Sequence, residues 1–219
     1  DRGGSWDIYV QPLEGGKAMQ VTHSPEHELH PSWAPDSRTL VFCQLSQQSG
    51  QWEMALVDLT RDGTRKFIGF GLFPEFSPDG KKILFQRARQ RGSRLFSVWT
   101  LDYENGQVHR PTEIVAANNA AIINPTWSPD SRRIAFATVV DPSNEPGDRP
   151  EKADLWSVRI DGTQRVKLTS DRYSNLQPAW GGDGTIYFVS NRAGFDNIWA
   201  LRTQTPSIAA QPAEQNEPQ

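Results

Sequence analysis

One pattern of hydrophobic and polar positions occurs four times along the chain. Each copy joins a proline, a variable residue and an aromatic to a tight turn and then to an alternating apolar run. The copies are HPSWAPDSRTLVF (30–42), FPEFSPDGKKILF (73–85), NPTWSPDSRRIAF (124–136) and QPAWGGDGTIYF (177–188). Alternation predicts half-buried strands, and Pro-Asp followed by Ser or Gly predicts the turn between them. Each copy therefore predicts one antiparallel hairpin.

The spacing of these hairpins predicts a repeat architecture. The turn aspartates recur about 43 to 53 residues apart, which suits one four-stranded propeller blade per repeat; they are Asp36, Asp79, Asp130 and Asp183. A third strand is predicted after each hairpin, at 52–59, 95–101, 155–160 and 197–201. A turn to a fourth strand is predicted at Asp62-Gly63, Asn105-Gly106 and Asp161-Gly162, with positive φ at both central residues.

These residues resemble a known family. The Pro-x-Trp-Ser-Pro-Asp hairpin, the Ile/Leu-x-Phe strand and the segment from Val189 to Trp199 (VSNRAGFDNIW) are similar to the β-propeller repeats of TolB, the periplasmic component of the Tol-Pal system. The resemblance covers about residues 5 to 202. It implies an all-β propeller of four-stranded antiparallel blades, and a six-bladed parent. Repeats of this kind also occur in peptidases, so the fold does not fix the function.

The blade count is incomplete at both ends. About five blades are represented, at approximately 5–24 (half), 31–68, 74–115, 124–169 and 177–202 (partial), which together form one propeller domain over 1–205. Residues 206–219 are rich in Pro, Ala, Gln and Glu and are predicted to be a disordered tail. Exposed edge strands are usually covered, so we expect the two incomplete blades to pair with another chain or with further sequence.

Composition narrows the classes of protein. The 219 residues carry a net charge of −3, which gives no general attraction to nucleic acid, and no apolar stretch reaches the length of a membrane span. A single cysteine, Cys43, excludes an internal disulfide and leaves the redox compartment open. The sequence begins at Asp1 without a signal segment, and we expect a processed form or a fragment.

Catalytic signatures are missing from the sequence. It contains no Gly-x-Ser-x-Gly segment, so the hydrolase half of propeller-gated peptidases is not present in these residues. The four turn aspartates are better explained as turn formers than as a ring of acids. Six tryptophans on the first and third strands are expected to pack between blades rather than to stack on a ligand; they are Trp33, Trp127, Trp180, Trp99, Trp156 and Trp199. We expect no catalytic residue and no cofactor.

Three loops remain as candidate sites. His23, His27 and His30 lie in one connection with two glutamates, and such side chains suit zinc or copper. They do not follow the His-Glu-x-x-His spacing and Pro25 argues against a helix, so we favour a solvated connection and assign no metal.

The second candidate is a basic loop that contains Arg87, Arg89, Arg91 and Arg94. A solvated loop is one explanation, and a binding surface for an acidic partner is the other. The third is the insertion at 140–152, whose prolines and charges predict an excursion on the same rim. Strands alternate in direction through a blade, so all three loops are expected on that rim.

Two functions remain open. The resemblance implies a non-catalytic scaffold of the periplasm or cell envelope, which binds a protein partner through the loop-rich rim or the mouth of the channel. The alternative is the propeller module of a larger enzyme, which filters substrate for a catalytic domain outside these residues. The complete gene would separate them, because a downstream Gly-x-Ser-x-Gly segment favours the enzyme.

Overall fold

A computed structural model describes residues 4–61, 63–142 and 149–203, and its regular structure is made of β-strands. The half blade contains β1 (Tyr9–Val10) and β2 (Met19–Gln20). Blade 1 contains β3 (Glu28–Trp33), β4 (Thr39–Leu45), β5 (Trp52–Asp58) and β6 (Arg65–Phe70). Blade 2 contains β7 (Leu72–Phe76), β8 (Lys82–Ala88), β9 (Phe96–Glu104) and β10 (Gln107–Val115). Blade 3 contains β11 (Ala120–Trp127), β12 (Arg133–Val140), β13 (Asp154–Arg159) and β14 (Val166–Lys167). Blade 4 contains β15 (Asn175–Trp180), β16 (Thr185–Ser190) and β17 (Asn197–Arg202).

The sheets confirm the predicted architecture. Consecutive strands pair antiparallel within each blade, which gives one two-stranded, three four-stranded and one three-stranded sheet. These sheets are arranged as an incomplete β-propeller. The predicted tail at 206–219 lies outside the described residues.

The Pro-Asp hairpins form through local hydrogen bonds. In blade 1 the amide of Ser37 donates to the Ala34 carbonyl, and Asp36 Oδ1 accepts from the Arg38 and Thr39 amides. Ser37 has a φ of 57°, so the tight turn ends on a residue in the left-handed region. The other three turn aspartates also accept from the amide two residues further on. All four aspartates therefore behave as turn formers.

The second set of turns corrects one detail of the sequence prediction. Asn105 and Gly106 both have positive φ, at 51° and 76°, as expected. At Asp161-Gly162 only the glycine does, because the turn starts one residue earlier: the Gly162 amide donates to the Arg159 carbonyl, which leaves Asp161 right-handed. Asp62 lies outside the described residues.

Each blade packs its face against the next blade. One apolar cluster joins Val41 and Met54 of blade 1 to Phe76 and Phe85 of blade 2, and the next joins blade 2 to blade 3. The first strands of successive blades contact one another, β3 with β7, β7 with β11 and β11 with β15. The first strands are therefore innermost, and they surround the propeller axis.

Not all the tryptophans are in the core. Trp127 is 2% exposed because it packs on blade 2, where its Nε1 donates to the Glu75 carbonyl at 3.2 Å. Trp33 holds the same place in blade 1, but the half blade offers it no described first strand and it is 45% exposed. Trp199 pairs with Phe188, which packs on blade 3, but it is 37% exposed on the edge strand β17. Both residues are thus less buried than Trp127, and their packing between blades stays a prediction.

The outer face of blade 4 is uncovered in the same way. Tyr187 and Ile198 are 44% and 77% exposed, whereas their equivalents Leu84 and Val98 in blade 2 are fully buried under blade 3. Strand β17 has no partner on its outer edge among the described residues. Blade 4 thus has an open edge among the described residues, and the pairing of the two incomplete blades with another chain or with further sequence stays a prediction.

Candidate functional site

A β-bulge recurs at the same place in every innermost strand. The pairing register of the first strand with the second shifts between Leu29 and Ser32 in blade 1, and at the equivalent place in blades 2, 3 and 4. The residue before the proline has positive φ in each case. We call these residues the pre-proline row: His30 at 54°, Phe73 at 52°, Asn124 at 50° and Gln177 at 50°.

This conformation is imposed by the fold. A left-handed residue other than glycine costs about 1–2 kcal/mol, and the residue before a proline normally prefers extended geometry. Four different side chains nevertheless adopt it. Strain of this kind persists where the surroundings over-determine it and is often found at functional sites.

The neighbouring blade holds two of the bulges through the amide of the pre-proline residue. The Asn124 amide donates to the Oε1 atom of Gln86 at 2.7 Å, and Gln86 is buried in blade 2. Cys43 holds the equivalent place in blade 1, and its sulfur accepts from the Phe73 amide. Burial raises the pKa of this thiol to about 12, so it stays protonated. Second-strand side chains thereby fix the backbone of the following blade.

Neighbouring members of the pre-proline row contact each other across a blade boundary. The ring centroids of His30 and Phe73 are 3.8 Å apart with an interplanar angle of 31°. Burial in this contact lowers the pKa of His30, so the imidazole is neutral at physiological pH. The row thus begins with an aromatic pair and continues with two amide side chains.

A second row follows the prolines. The post-proline row consists of Ser32, Glu75, Thr126 and Ala179. Ser32 Oγ accepts from the Phe76 amide at 3.1 Å, and Glu75 Oε1 accepts from the Trp127 amide at 3.3 Å. Ser32 and Glu75 thus reach sideways to the innermost strand of the next blade. The two rows together form what we call the axial mouth.

Glu75 is the only carboxylate of the axial mouth. Its Oε1 atom also accepts from Thr126 Oγ1 at 3.2 Å. Burial raises the pKa of Glu75 to about 7, although the bonds from the Trp127 amide and the Thr126 hydroxyl partly offset that effect. A side chain of the mouth therefore changes charge near neutral pH.

The three candidate metal ligands have separate contacts. His27 Nδ1 accepts from the Trp6 amide at 3.1 Å, His30 stacks on Phe73, and His23 is exposed. In the part of the chain that the structure describes, no group of three or more His, Cys, Asp or Glu side chains is arranged to hold a metal ion. The structure therefore does not bring His23, His27 and His30 together as one ligand set.

The basic loop connects neighbouring blades. Arg89 Nη1 donates to the Ala117 carbonyl at 2.8 Å and to Asn118 Oδ1 at 3.0 Å, in the link to blade 3. Arg91 Nη2 donates to the Ser49 carbonyl of blade 1 at 3.1 Å. These contacts place the loop between its neighbours on one rim, as the strand directions predicted.

The other two arginines also have partners. Arg94 Nη1 donates to the Pro142 carbonyl of blade 3 at 3.3 Å, and the Arg87 guanidinium lies 5.8 Å from the ring centre of Trp99. The remainder of the insertion, 143–148, lies outside the described residues. All four arginines are exposed, so a partner surface there stays a prediction, but three of them also have a structural role in the rim.

The axial mouth was not among the sites predicted from the sequence. Its residues stand inside the repeated phrase, on either side of the first proline, and they are among the positions at which all four copies differ. That variation within a fixed frame was the signal that could have found them. The left-handed backbone gave no signal, because a following proline favours extended geometry.

No helix among the described residues is long and apolar enough to cross a membrane. No family model matches the sequence.

Two known proteins are similar in sequence over part of the chain. The uncharacterized peptidase YuxL of Bacillus subtilis (strain 168) is 25% identical over 144 residues, which are 64% of this chain and 20% of that protein. The Tol-Pal system protein TolB of Alcanivorax borkumensis is 34% identical over 86 residues, 39% of this chain and 18% of that protein. The chain thus spans a fifth or less of the length of these relatives.

Solved structures share the fold. TolB from Acinetobacter baumannii superposes with a TM-score of 0.66 at 21% identity, over 91% of this chain and 47% of that one. The acylaminoacyl peptidase of Pyrococcus horikoshii does so with a TM-score of 0.55 at 20% identity, over 81% of this chain and 31% of that one. With its repeated hairpins and blades, the chain is a TolB-like β-propeller.

Proposed function

We propose that the chain is a non-catalytic scaffold of the bacterial periplasm or cell envelope that binds a protein partner at the axial mouth and the adjoining loop-rich rim. One observation carries this proposal. The bulged backbone is the same in four blades, yet the pre-proline row changes from histidine to phenylalanine, asparagine and glutamine. A fixed frame that presents different side chains suits recognition of an irregular surface such as a protein segment.

The chemistry of the mouth also supports binding rather than catalysis. Its side chains are aromatic, amide, hydroxyl and one carboxyl, and Ser32 Oγ is used to accept a backbone amide. The sequence has no Gly-x-Ser-x-Gly segment. Nucleophilic catalysis requires a nucleophile, a base and an oxyanion site within reach of one another, and the scaffold needs none of them.

The likeness to TolB supports the location and the kind of partner. TolB is named as a Tol-Pal system protein, and the shared propeller covers most of this chain. By this analogy the partner belongs to a larger envelope assembly. Neither nucleic acid nor a membrane span is part of the proposal.

The test compares an axial variant with an outer-strand variant. We would immobilise the chain and expose it to envelope extract from the bacterium that encodes it. The axial variant combines His30→Ala, Asn124→Ala and Gln177→Ala, and the control carries Glu113→Gln on the exposed outer strand β10. We expect one partner to be lost with the axial variant and kept with the control. Equal recovery with both would refute binding at the axial mouth.

The second candidate function is substrate gating in a larger enzyme. It is favoured by the similarity to a protein named as a peptidase and by the shared fold of an acylaminoacyl peptidase. Under this alternative the complete gene encodes a hydrolase domain beside the propeller. Hydrolysis of peptides by the purified chain, lost on replacing one of its own residues, would refute the non-catalytic proposal.

A further inference from the structure

The carboxyl group of Glu75 is largely buried, and its hydrogen-bond partners are neutral. Five other partly or fully buried carboxylates have a cation as partner: Glu28 with Arg65, Asp58 with Arg61, Asp102 with Lys82 and Arg110, Asp154 with Lys167, and Asp171 with Arg192. Asp7, Glu26 and Glu53 share the absence of an ion pair among the described residues, and Glu75 combines it with a pKa that burial raises to about 7. Glu75 has no ion pair in the described ranges. Only neutral donors, from Thr126 and Trp127, reach it.

The donors reach only one oxygen. Both hydrogen bonds go to Oε1, which fixes the orientation of the carboxyl group between β7 and β11. The other oxygen, Oε2, has no hydrogen bond to a described residue and is not among the enclosed unpaired oxygens. Oε2 is therefore not fully enclosed by the described residues and keeps its capacity to accept a hydrogen bond from a ligand group.

None of the charged groups on the strands around Glu75 forms an ion pair with it. The strands β4 and β11, which pack against β7, contain no charged residue. The charged residues of β3, β5 and β8 have partners of their own. On β3 and β5, Glu28 pairs with Arg65, Glu53 bonds to Ser49 and Asp58 pairs with Arg61. On β8, Lys82 pairs with Asp102 and Arg87 lies beside Trp99, and β3 also carries His30 of the pre-proline row. His30 is the other titratable group of the mouth, and its burial keeps it neutral.

An ionised carboxylate buried without a cation is costly, and a cation within about 4–6 Å favours its ionised form. Ser32, Thr126 and Ala179, the equivalents of Glu75, are neutral. The frame therefore needs no charge at this position, and the fold gives no reason for an acid there.

We propose that the axial mouth recognises a cationic group of its partner, a lysine or arginine side chain, and that Glu75 Oε2 is the acceptor for that group. This inference rests on the proposed function for its location and adds the chemistry of the ligand. Binding of the cation favours the ionised carboxyl group, so binding releases a proton wherever Glu75 is protonated beforehand. The affinity therefore rises with pH.

The experiment uses three peptides of the form acetyl-Gly-Ser-Gly-X-Gly-Ser-Gly-amide, in which X is Lys, Gln or Glu. Binding is followed through the backbone amide shifts of Thr126 and Trp127 in nuclear magnetic resonance spectra of the labelled chain. We expect the Lys peptide to bind more tightly than the Gln peptide and the Glu peptide to bind least. With a pKa of about 7, the ionised fraction of Glu75 rises about tenfold from pH 6 to pH 8, and the affinity for the Lys peptide should rise with it.

Two variants separate the possible causes. Glu75→Gln keeps the shape of the side chain and should abolish both the preference for Lys and its pH dependence. Glu113→Gln on the outer strand should change neither. Protonation of His30 would also repel a cation at low pH, but that effect would survive in Glu75→Gln and so can be distinguished.

The outcomes distinguish this inference from the proposed function. If the Lys and Gln peptides bind equally, or if Glu75→Gln keeps the preference for Lys, the cationic ligand is refuted while the scaffold stands. If no peptide shifts any resonance of the axial mouth, this inference fails. Failure of the proposed function itself would appear instead in the capture experiment, as equal recovery by the axial and outer-strand variants.

Discussion

Two tryptophans at the same place in the repeat should differ in their contribution to stability. Trp127 is 2% exposed between blades 2 and 3, whereas Trp33 is 45% exposed beside the half blade. Replacing a buried tryptophan by alanine costs about 3–5 kcal/mol through lost burial and the cavity that remains. Trp127→Ala also removes the indole hydrogen bond to the Glu75 carbonyl, so we expect about 4 kcal/mol.

Trp33→Ala serves as the matched control. Burial free energy is roughly proportional to the apolar area removed from water, so a half-exposed tryptophan should lose about half as much. It also leaves no closed cavity, and we expect about 2 kcal/mol or less. The free energy of unfolding is measured by urea denaturation followed by far-ultraviolet circular dichroism, which does not depend on tryptophan emission. Equal losses in the two variants, or a larger loss for Trp33→Ala, would refute this account of blade packing.

Three further perturbations test other contacts. Glu75 has a pKa of about 7 in the fold against the usual 4.5, so the stability that its neutral form contributes is complete below pH 4.5 and is lost as the pH rises through 7. At about 1.4 kcal/mol per pH unit the loss is about 3 kcal/mol, and urea denaturation from pH 4 to 8 should show it in the native chain but not in Glu75→Gln. Arg91→Ser should speed hydrogen exchange in the loop around Ser49, because the Ser49 carbonyl accepts a hydrogen bond from the Arg91 guanidinium. Arg87→Ser should leave that exchange as it is. Unchanged exchange in Arg91→Ser would contradict the rim contact. Gln86→Leu leaves the amide of Asn124 without its acceptor and should lower the free energy of unfolding by about 1–3 kcal/mol, as measured by thermal or urea unfolding. An unchanged free energy would show that this amide has another acceptor.

The sequence predicted the frame of the fold well, because its signals are local. The turn at Asn105-Gly106 needs positive φ at two neighbouring residues, and asparagine followed by glycine is the pair of residue types that favours it. The turn at Asp161 was placed one residue late, because several registers satisfy the same short motif and only the hydrogen bond from Gly162 to Arg159 selects one. Local signals thus identify a turn more reliably than its register.

The site depends on contacts between distant parts of the chain, and these the sequence could not supply. Burial in the fold raises the pKa of Glu75, and the amide that partly offsets this effect belongs to Trp127, 52 positions further on, so nothing near Glu75 in the sequence indicates its pKa. Arg91 looked like a free cation for a similar reason, since its acceptor at Ser49 belongs to another blade. The sequence shows which charged side chains these segments carry, but not which groups of other blades they contact.

The support of the bulges explains how the axial mouth can vary. Because Gln86 holds the backbone of Asn124 from the preceding blade, this bond does not depend on the asparagine side chain. Cys43 does the same for Phe73 with a protonated thiol, so two chemically different side chains provide one acceptor at equivalent places. The frame is therefore maintained by second-strand side chains together with Ser32 and Glu75, which bond to the next blade. Under the proposed function, a change of partner should involve the pre-proline row, whose side chains vary while the bulged backbone stays the same.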